Sequence, residues 1–372
     1  MAEESPRSRL AFIDVARGLA VVLMLQTHAY DAWLRPELRQ TGFFRWSQLI
    51  GGLPGAFFLF LMGVSSALGH EKARKSSGSP SIWRSGMTRA GLLLLVAFLF
   101  RLTLYAASDR PDSNAIFRVD ILNCLAVSLA LLTPLGLVPS LASRTFTAVG
   151  VAAWFAMATP FVWDGGLVSD LPERIAGYLS GRVPNTTFPI FPWAAYAFAG
   201  HAMGSLIAGA REGGIGRAMN RLGAAGLLMI PLSLNLDKLD TIGPKYDYWW
   251  TSPNFVLIKT GVLILLIWLC FQFEQLVARL AGRLSPVSAA MTQMGRTSLF
   301  IYCVHVDLVY GSHAFPKLWR SCEIGEASRY LAMLTLGMLA LSYGWSWLKV
   351  EAGVARGKEA DRWEVGPGSR PG

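Results

Sequence analysis

The sequence predicts an all-α polytopic integral membrane protein of about ten transmembrane helices, on three observations. Of its 372 residues, 53% are hydrophobic and only 16% are charged, where a soluble domain carries about 25% charge. The mean hydropathy is +0.40. Apolar runs of about 20 residues, each long enough to span a bilayer, recur along the whole length. Open sheets cannot satisfy their backbone groups in lipid, so helices are the expected element.

The ten stretches fall at roughly 10–33, 51–70, 86–107, 116–138, 145–163, 189–209, 221–236, 254–274, 296–315 and 329–348. The first holds Asp14, Arg17 and His28. A Ser-, Gly- and Lys-rich loop over 71–88 follows the second and is expected to be flexible. The third ends near Arg101, and the fourth opens with Arg118, Asp120 and Asn123. Asp120 and Asn123 are three apart and share a helix face. The long connection 164–189 leads into Phe188-Pro189-Ile190-Phe191-Pro192-Trp193, and proline suits a first helical turn because its missing N–H is no loss there. The sixth stretch carries Gly200, Gly204 and Ala208 at four-residue spacing, a pattern that lets helices approach closely. His201 beside them is expected to pack between helices. Tyr246, Tyr248, Trp249 and Trp250 cluster before the eighth; they fit either an interfacial aromatic belt or a stacking platform for a sugar. The ninth holds Ser298, Tyr302 and His305 on one face. Polar, Gly-rich sequence closes the chain, so 1–350 reads as the membrane domain and 351–372 as a flexible tail.

The net charge of +10 does not require nucleic acid. With the amino terminus inside, 19 Lys and Arg fall on the inner side and 13 on the outer, which favours both termini in the cytoplasm. No cleavable signal peptide is expected, since the first apolar segment is long, charged and without an Ala-x-Ala-type site. Cys124, Cys270, Cys303 and Cys322 show no pairing pattern and are expected as free thiols. There is no His-Glu-x-x-His run, no Cys-x-x-Cys pair and no Walker-type loop, so no metal and no bound cofactor is expected. No internal repeat of the kind common in transporters is visible.

Ionisable residues inside a membrane helix are costly and mark a functional interior. Eleven residues separate Arg17 from His28. At ~100° per residue that is three turns plus ~20°, which puts both on one face, roughly 16 Å apart along the axis. Asp14 shares the face. Imidazole is the side chain best suited to serve as a base near neutral pH, so His28 is the catalytic candidate. Asp120, Asn123, Tyr302 and His305 lie at similar depth in the outer half and are expected to line a polar cavity open to the outside.

The segment from Arg9 to His28 resembles the first helix of the transmembrane acyltransferases, whose acyltransferase-3 branch carries Arg, ten residues, then His. A closer likeness is to the bacterial relatives of heparan-α-glucosaminide N-acetyltransferase. It runs in order through GAFFLFLMGVSSALG at 55–69, FRVDILNCLAVSLALL at 117–132, FPIFPWAAYAFAGHAMG at 188–204, WWTSPNFVLIKTG at 249–261 and GRTSLFIYCVH at 295–305. This resemblance implies an acyl-CoA-dependent transferase that moves an acyl group, usually acetyl, from the cytosol to a hydroxyl or amine on the far side. The lysosomal branch places its catalytic histidine in the loop before the second helix. Here Asp31 to Ile50 holds Trp46 and no histidine, so His28 is the candidate through the acyltransferase-3 pattern. That branch also has a Gln-Arg pair where this chain has Asn123-Cys124.

The expected function is therefore membrane acyl transfer in a bacterial inner membrane. His28 would be catalytic, Arg17 and Asp14 would bind the donor, and a sugar or glycolipid would be the acceptor. Acetyl-CoA or another acyl-CoA is the expected co-substrate, with the lipid bilayer as the other partner and oligomers left open. Two readings compete: a transporter or flippase that uses the same polar cavity without covalent chemistry, and an inactive scaffold or sensor.

Overall fold

A computed structural model of the chain describes residues 10–76, 79–106, 113–210, 214–239, 246–280, 283–310 and 315–364. Among them the helices are α1 (Ala11–Trp33), α2 (Gly42–Gly51), α3 (Pro54–Ser76), α4 (Ser79–Ala106), α5 (Ile121–Leu132), α6 (Leu141–Asp164), α7 (Glu173–Leu179), α8 (Ile190–Ala208), α9 (Ile215–Leu236), α10 (Pro253–Arg279), α11 (Ser285–Arg296), α12 (Ser298–Tyr310) and α13 (Ile324–Glu364). Each of the ten apolar stretches falls on a helix. Six spans are long and apolar enough to cross a membrane: α1, α2 with α3, α4, α6, α10 and α13. Two shorter apolar helices, over Ile121–Leu137 and Ser298–Tyr310, accompany them.

The small-residue stripe on α8 has a packing role. Helix α8 makes its most extensive contact with α3 and its next with α6. A Cβ at Gly200 would overlap the Phe60 carbonyl oxygen, and one at Gly63 would overlap that of Ala197. Only glycine on both sides allows the two backbones to touch. His201 is fully buried at this crossing, with Nε2 3.4 Å from His70 Nδ1.

Helix α1 is the hub. It packs on α2, α3, α10, α11, α12 and α13. Its first half, through Phe12, Val15, Ala16 and Ala20, joins the large apolar cluster built with α3, α5, α8 and α10. Its second half, through Val21, Leu25 and Trp33, joins a smaller one with Ile301, Val309 and Leu334. Two isolated bridges are the strand-like pairings among the described residues. Trp33 and Arg35 bond Cys322, tying the end of α1 to the start of α13. Val119 N donates to Asn185 O at 3.1 Å and Thr187 N to Val119 O at 3.0 Å, joining the entries to α5 and α8.

The loop expected over 71–88 is not a loop. Helix α3 runs to Ser76 and α4 starts at Ser79, so 71–76 and 79–88 are helical; residues 77–78 lie outside the described set. The run Lys72-Ala73-Arg74-Lys75 consists of strong helix formers. Arg74 Nη1 donates to the Gly136 and Val138 carbonyls, and Arg144 pairs with Glu71 at 2.8 Å, which gives the turn of helix a tertiary anchor. Helix α13 likewise passes the expected boundary at 350 and ends at Glu364, and residues 365–372 lie outside the described set. All four cysteines are free thiols.

Candidate active site

A cavity of about 750 Å³ opens at the His28 end of α1. Met24, Thr27, His28 and Asp31 of α1 line it, as do Tyr302, Val306, Asp307 and Tyr310 of the adjoining α12. Arg101 of α4, Arg118 and Asp120 before α5, and Thr187 and Phe188 before α8 close the rest. Helical spacing puts each set on one face: Met24, His28 and Asp31 on α1, and Tyr302, Val306 and Tyr310 on α12.

His28 meets His305 across the α1–α12 contact. Their rings are nearly parallel, and His28 Nδ1 lies 2.8 Å from His305 Nε2. His305 Nδ1 lies 2.8 Å from the Ile301 carbonyl oxygen, one turn back on its own helix. A carbonyl only accepts, so His305 carries its proton on Nδ1 and presents Nε2 as an acceptor. His28 Nδ1–H then donates to it. The one lone pair left in this chain is on His28 Nε2, which has no hydrogen-bond partner among the described residues, on a side chain that lines the cavity.

Arg101 and Asp120, which line the same cavity as His28, form an ion pair at 2.7 Å, with side chains 15% and 4% exposed. Asp120 is not a face residue of the helix, as its spacing with Asn123 predicted, but its N-cap. Its Oδ1 accepts from Leu122 N and Asn123 N, and Asn123 Oδ1 accepts from Asp120 N, a reciprocal capping box. The carboxylate is thus committed to the helix end and to Arg101, and has no room for a role as a base. Asn123 does not line the cavity. Its Nδ2 donates to the Tyr178 hydroxyl at 3.0 Å and so ties α5 to α7. His305 is also set behind the wall, fully buried, whereas Tyr302 lines it with its ring edge-on to His305.

The sequence reading missed the other side of the cavity. Asp31 accepts from the Tyr310 hydroxyl at 3.0 Å and from Arg39 Nη2 at 2.7 Å, and the Tyr310 ring meets His28 edge-on. Arg118 donates to Thr187 Oγ1 at 3.2 Å. The Arg101–Asp120 pair had a signal, since two opposite charges in neighbouring apolar spans are expected to find each other. The contact of Arg118 with Thr187 had none.

Arg17 and Asp14 stand at the other end of α1, away from the cavity. Arg17 Nη1 pairs with Asp14 Oδ1 at 2.7 Å, and Nη2 donates to Ser65 Oγ at 2.9 Å. Arg296, half-exposed on α11, reaches Asp14 Oδ2 at 3.3 Å. No group of three or more His, Cys, Asp or Glu suited to hold a metal occurs among the described residues.

A family model described as heparan-α-glucosaminide N-acetyltransferase, catalytic, matches residues 9–234. His28, Arg101, Arg118 and Asp120 fall inside the matched stretch, and His305 with the rest of α12 falls beyond it. No curated protein matches the chain. The matched stretch is more than half of the sequence, and the chain belongs to this membrane acetyltransferase family.

Proposed function

We propose, on the premise of that family membership, that the chain transfers an acyl group from acyl-CoA to a hydroxyl or amine of a sugar or glycolipid, with His28 as the base. The observation that carries this is the hydrogen-bond chain from Ile301 through His305 to His28. It favours the His28 tautomer with the proton on Nδ1, which leaves the Nε2 lone pair free on a side chain that lines the cavity. In the proposed step the acceptor oxygen or nitrogen bonds to the thioester carbonyl carbon as Nε2 takes its proton. The imidazolium keeps Nδ1–H on His305. The C–S bond then breaks, and the proton passes from Nε2 to the sulfur, so that coenzyme A leaves as the thiol. Arg101, held by Asp120, lines the same cavity as a cation for the developing carbonyl oxyanion.

Ten spans in a bacterial inner membrane, with both termini on the donor side, complete the reading. The cavity then faces outward, and Arg17, Asp14 and Arg296 lie toward the cytosol. The test is reconstitution into liposomes with radiolabelled acetyl-CoA. Release of coenzyme A that depends on an added amine or hydroxyl acceptor supports the reading. Acceptor crossing the bilayer with no coenzyme A released would show a transporter instead.

Arg17 is proposed to meet the donor's phosphates, for which a planar guanidinium is suited and an ammonium is not equivalent. Arg17→Lys should then raise the KM for acetyl-CoA on the order of tenfold, the scale of one charge-assisted hydrogen bond, at near-native folded yield. A lower yield with KM unchanged would make the Arg17–Asp14–Ser65 contact purely structural.

A further inference from the structure

Helix α2 presents the wrong side for a helix in water. Its exposed face carries Phe43, Trp46, Leu49 and Ile50, while Ser47 is turned inward and buried. Such a helix lies in the membrane interface with its apolar face among the lipid. It also runs beside the end of α1. The Phe43 and Tyr30 ring centroids are 5.2 Å apart, and Gln26 Nε2 donates to the Ser47 carbonyl at 3.4 Å. Gly51 abuts Thr27, where a Cβ would come 2.6 Å from Thr27 Cγ2. Gln26, Thr27 and Tyr30 bracket His28 in the chain. The interfacial helix therefore marks the depth of His28, which is the depth of a lipid head group, and Gly51 at its end lines the same cavity.

The cavity also borders the lipid sideways. Helix α12 packs on α1, α11 and α13, and α4 packs on α3 and α5. Among the described residues these two helices touch through the Phe100 and Tyr302 rings, centroids 5.7 Å apart, without extensive packing on one another. On α12, Leu299, Cys303, Val306 and Tyr310 share one face, at spacings of four, three and four. Val306 and Tyr310 line the cavity, Cys303 is half-buried, and Leu299 is 42% exposed. The face that borders the cavity thus continues deeper as apolar surface. On α4, Arg101 and Leu104 line the cavity while Leu95, Leu99 and Leu102 are exposed on the other side, so one helix separates the cavity from lipid there. A hydrocarbon chain fits such a strip, and a water-borne sugar gains nothing from it. Polar partners for a head group stand at its upper end. Asp307 lines the cavity with no ion pair among the described residues, and Arg118 has the Thr187 hydroxyl as its one partner among them.

We propose that the acceptor is lipid-linked: its chain lies on the strip of Leu299, Cys303 and Val306 beside α4, and its sugar head enters the cavity sideways from the leaflet in which α2 lies. That the head accepts the acyl group rests on the acyl-transfer reading; that the lipid binds here does not, and the test reads binding. The full chain in lipid nanodiscs is photolabelled with hexadecyl β-D-glucoside bearing a diazirine midway along its chain, and the labelled residues are located by mass spectrometry. Label should concentrate on Leu104, Leu299, Cys303 and Val306. Unlabelled hexadecyl β-D-glucoside should displace it at a bilayer mole fraction at least about tenfold below hexadecanol, the scale of one hydrogen bond to a charged group. Methyl β-D-glucoside should not displace it. Val306→Trp overfills the strip and should cut labelling about tenfold or more, whereas Met333→Trp on the exposed face of α13 should leave it unchanged. Label spread evenly over the exposed residues of α6, α9 and α13 overturns the proposal. Equal displacement by hexadecanol, the mark of ordinary annular lipid, also overturns it, as does displacement by methyl β-D-glucoside, the mark of a head that binds without its chain. Should Val306→Trp fail to fold, the displacement series on the native chain decides. A chain labelled as expected that releases no coenzyme A would refute the transferase reading and leave the lipid site standing.

Discussion

His28→Gln is expected to lower acyl transfer by roughly 10²–10⁴-fold, the usual contribution of a positioned base. Glutamine keeps polarity and approximate size, and its amide can still donate to His305 Nε2. It cannot take up a proton. The contact across α1 and α12 therefore survives while the basic lone pair is lost, and the folded yield and melting temperature in nanodiscs should stay near native. Acceptor-dependent release of coenzyme A is the measurement, with His28→Ala as the harsher companion. Near-normal turnover in His28→Gln would exclude histidine chemistry at this site. His305→Gln should have a smaller but real effect, because it loosens the tautomer without removing the base.

Asp120→Ala is expected to be the most damaging change to folding. It removes the N-cap of α5, which costs about 0.5–2 kcal/mol. It also strands Arg101, and removing one partner of a buried pair costs about 3–5 kcal/mol. The 15% exposure of the Arg101 side chain and its place on a cavity wall set the second cost at the low end of that range. Asp120→Asn keeps an oxygen for Leu122 N and Asn123 N but drops the charge, so it should recover the capping part only. Thermal melts of the three proteins read the order directly: native, then Asn, then Ala. A melt for Asp120→Asn equal to that of the native protein would mean that the cap accounts for the whole effect and Arg101 finds another partner.

What was legible in the sequence followed from local rules. Helical periodicity placed Asp14 and Arg17 on one face, and they pair at 2.7 Å. Depth along each span placed His28 and His305 at one level, and they meet at 2.8 Å. Small-residue spacing announced the close crossing of α3 and α8. The misses share a cause. Periodicity gives the faces of a helix but not which residue is its first. Asp120 thus read as a residue on the helix face although it is the cap, from which it still lines the cavity. Composition read 71–88 as loop because Ser, Gly and Lys are common there, while the anchors that hold it helical, Gly136 and Val138, are over sixty residues away. Thr187 and Arg118 depend on irregular backbone whose course no spacing rule dictates, and the Asp31–Tyr310 contact joins the last turns of two helices whose relative placement spacing within one helix does not give.

The chain of hydrogen bonds behind His28 ends on the Ile301 carbonyl, which accepts a proton donor but cannot itself take up and pass on a proton. The two rings therefore form a blind alley, not a wire. In the proposed transfer a proton gathered at Nε2 would leave only by the way it entered, to the departing sulfur or to water in the cavity. Turnover at such a site conducts no proton current through the bundle, and the electrochemical gradient of the host membrane has no path through these residues by which to drive or to leak.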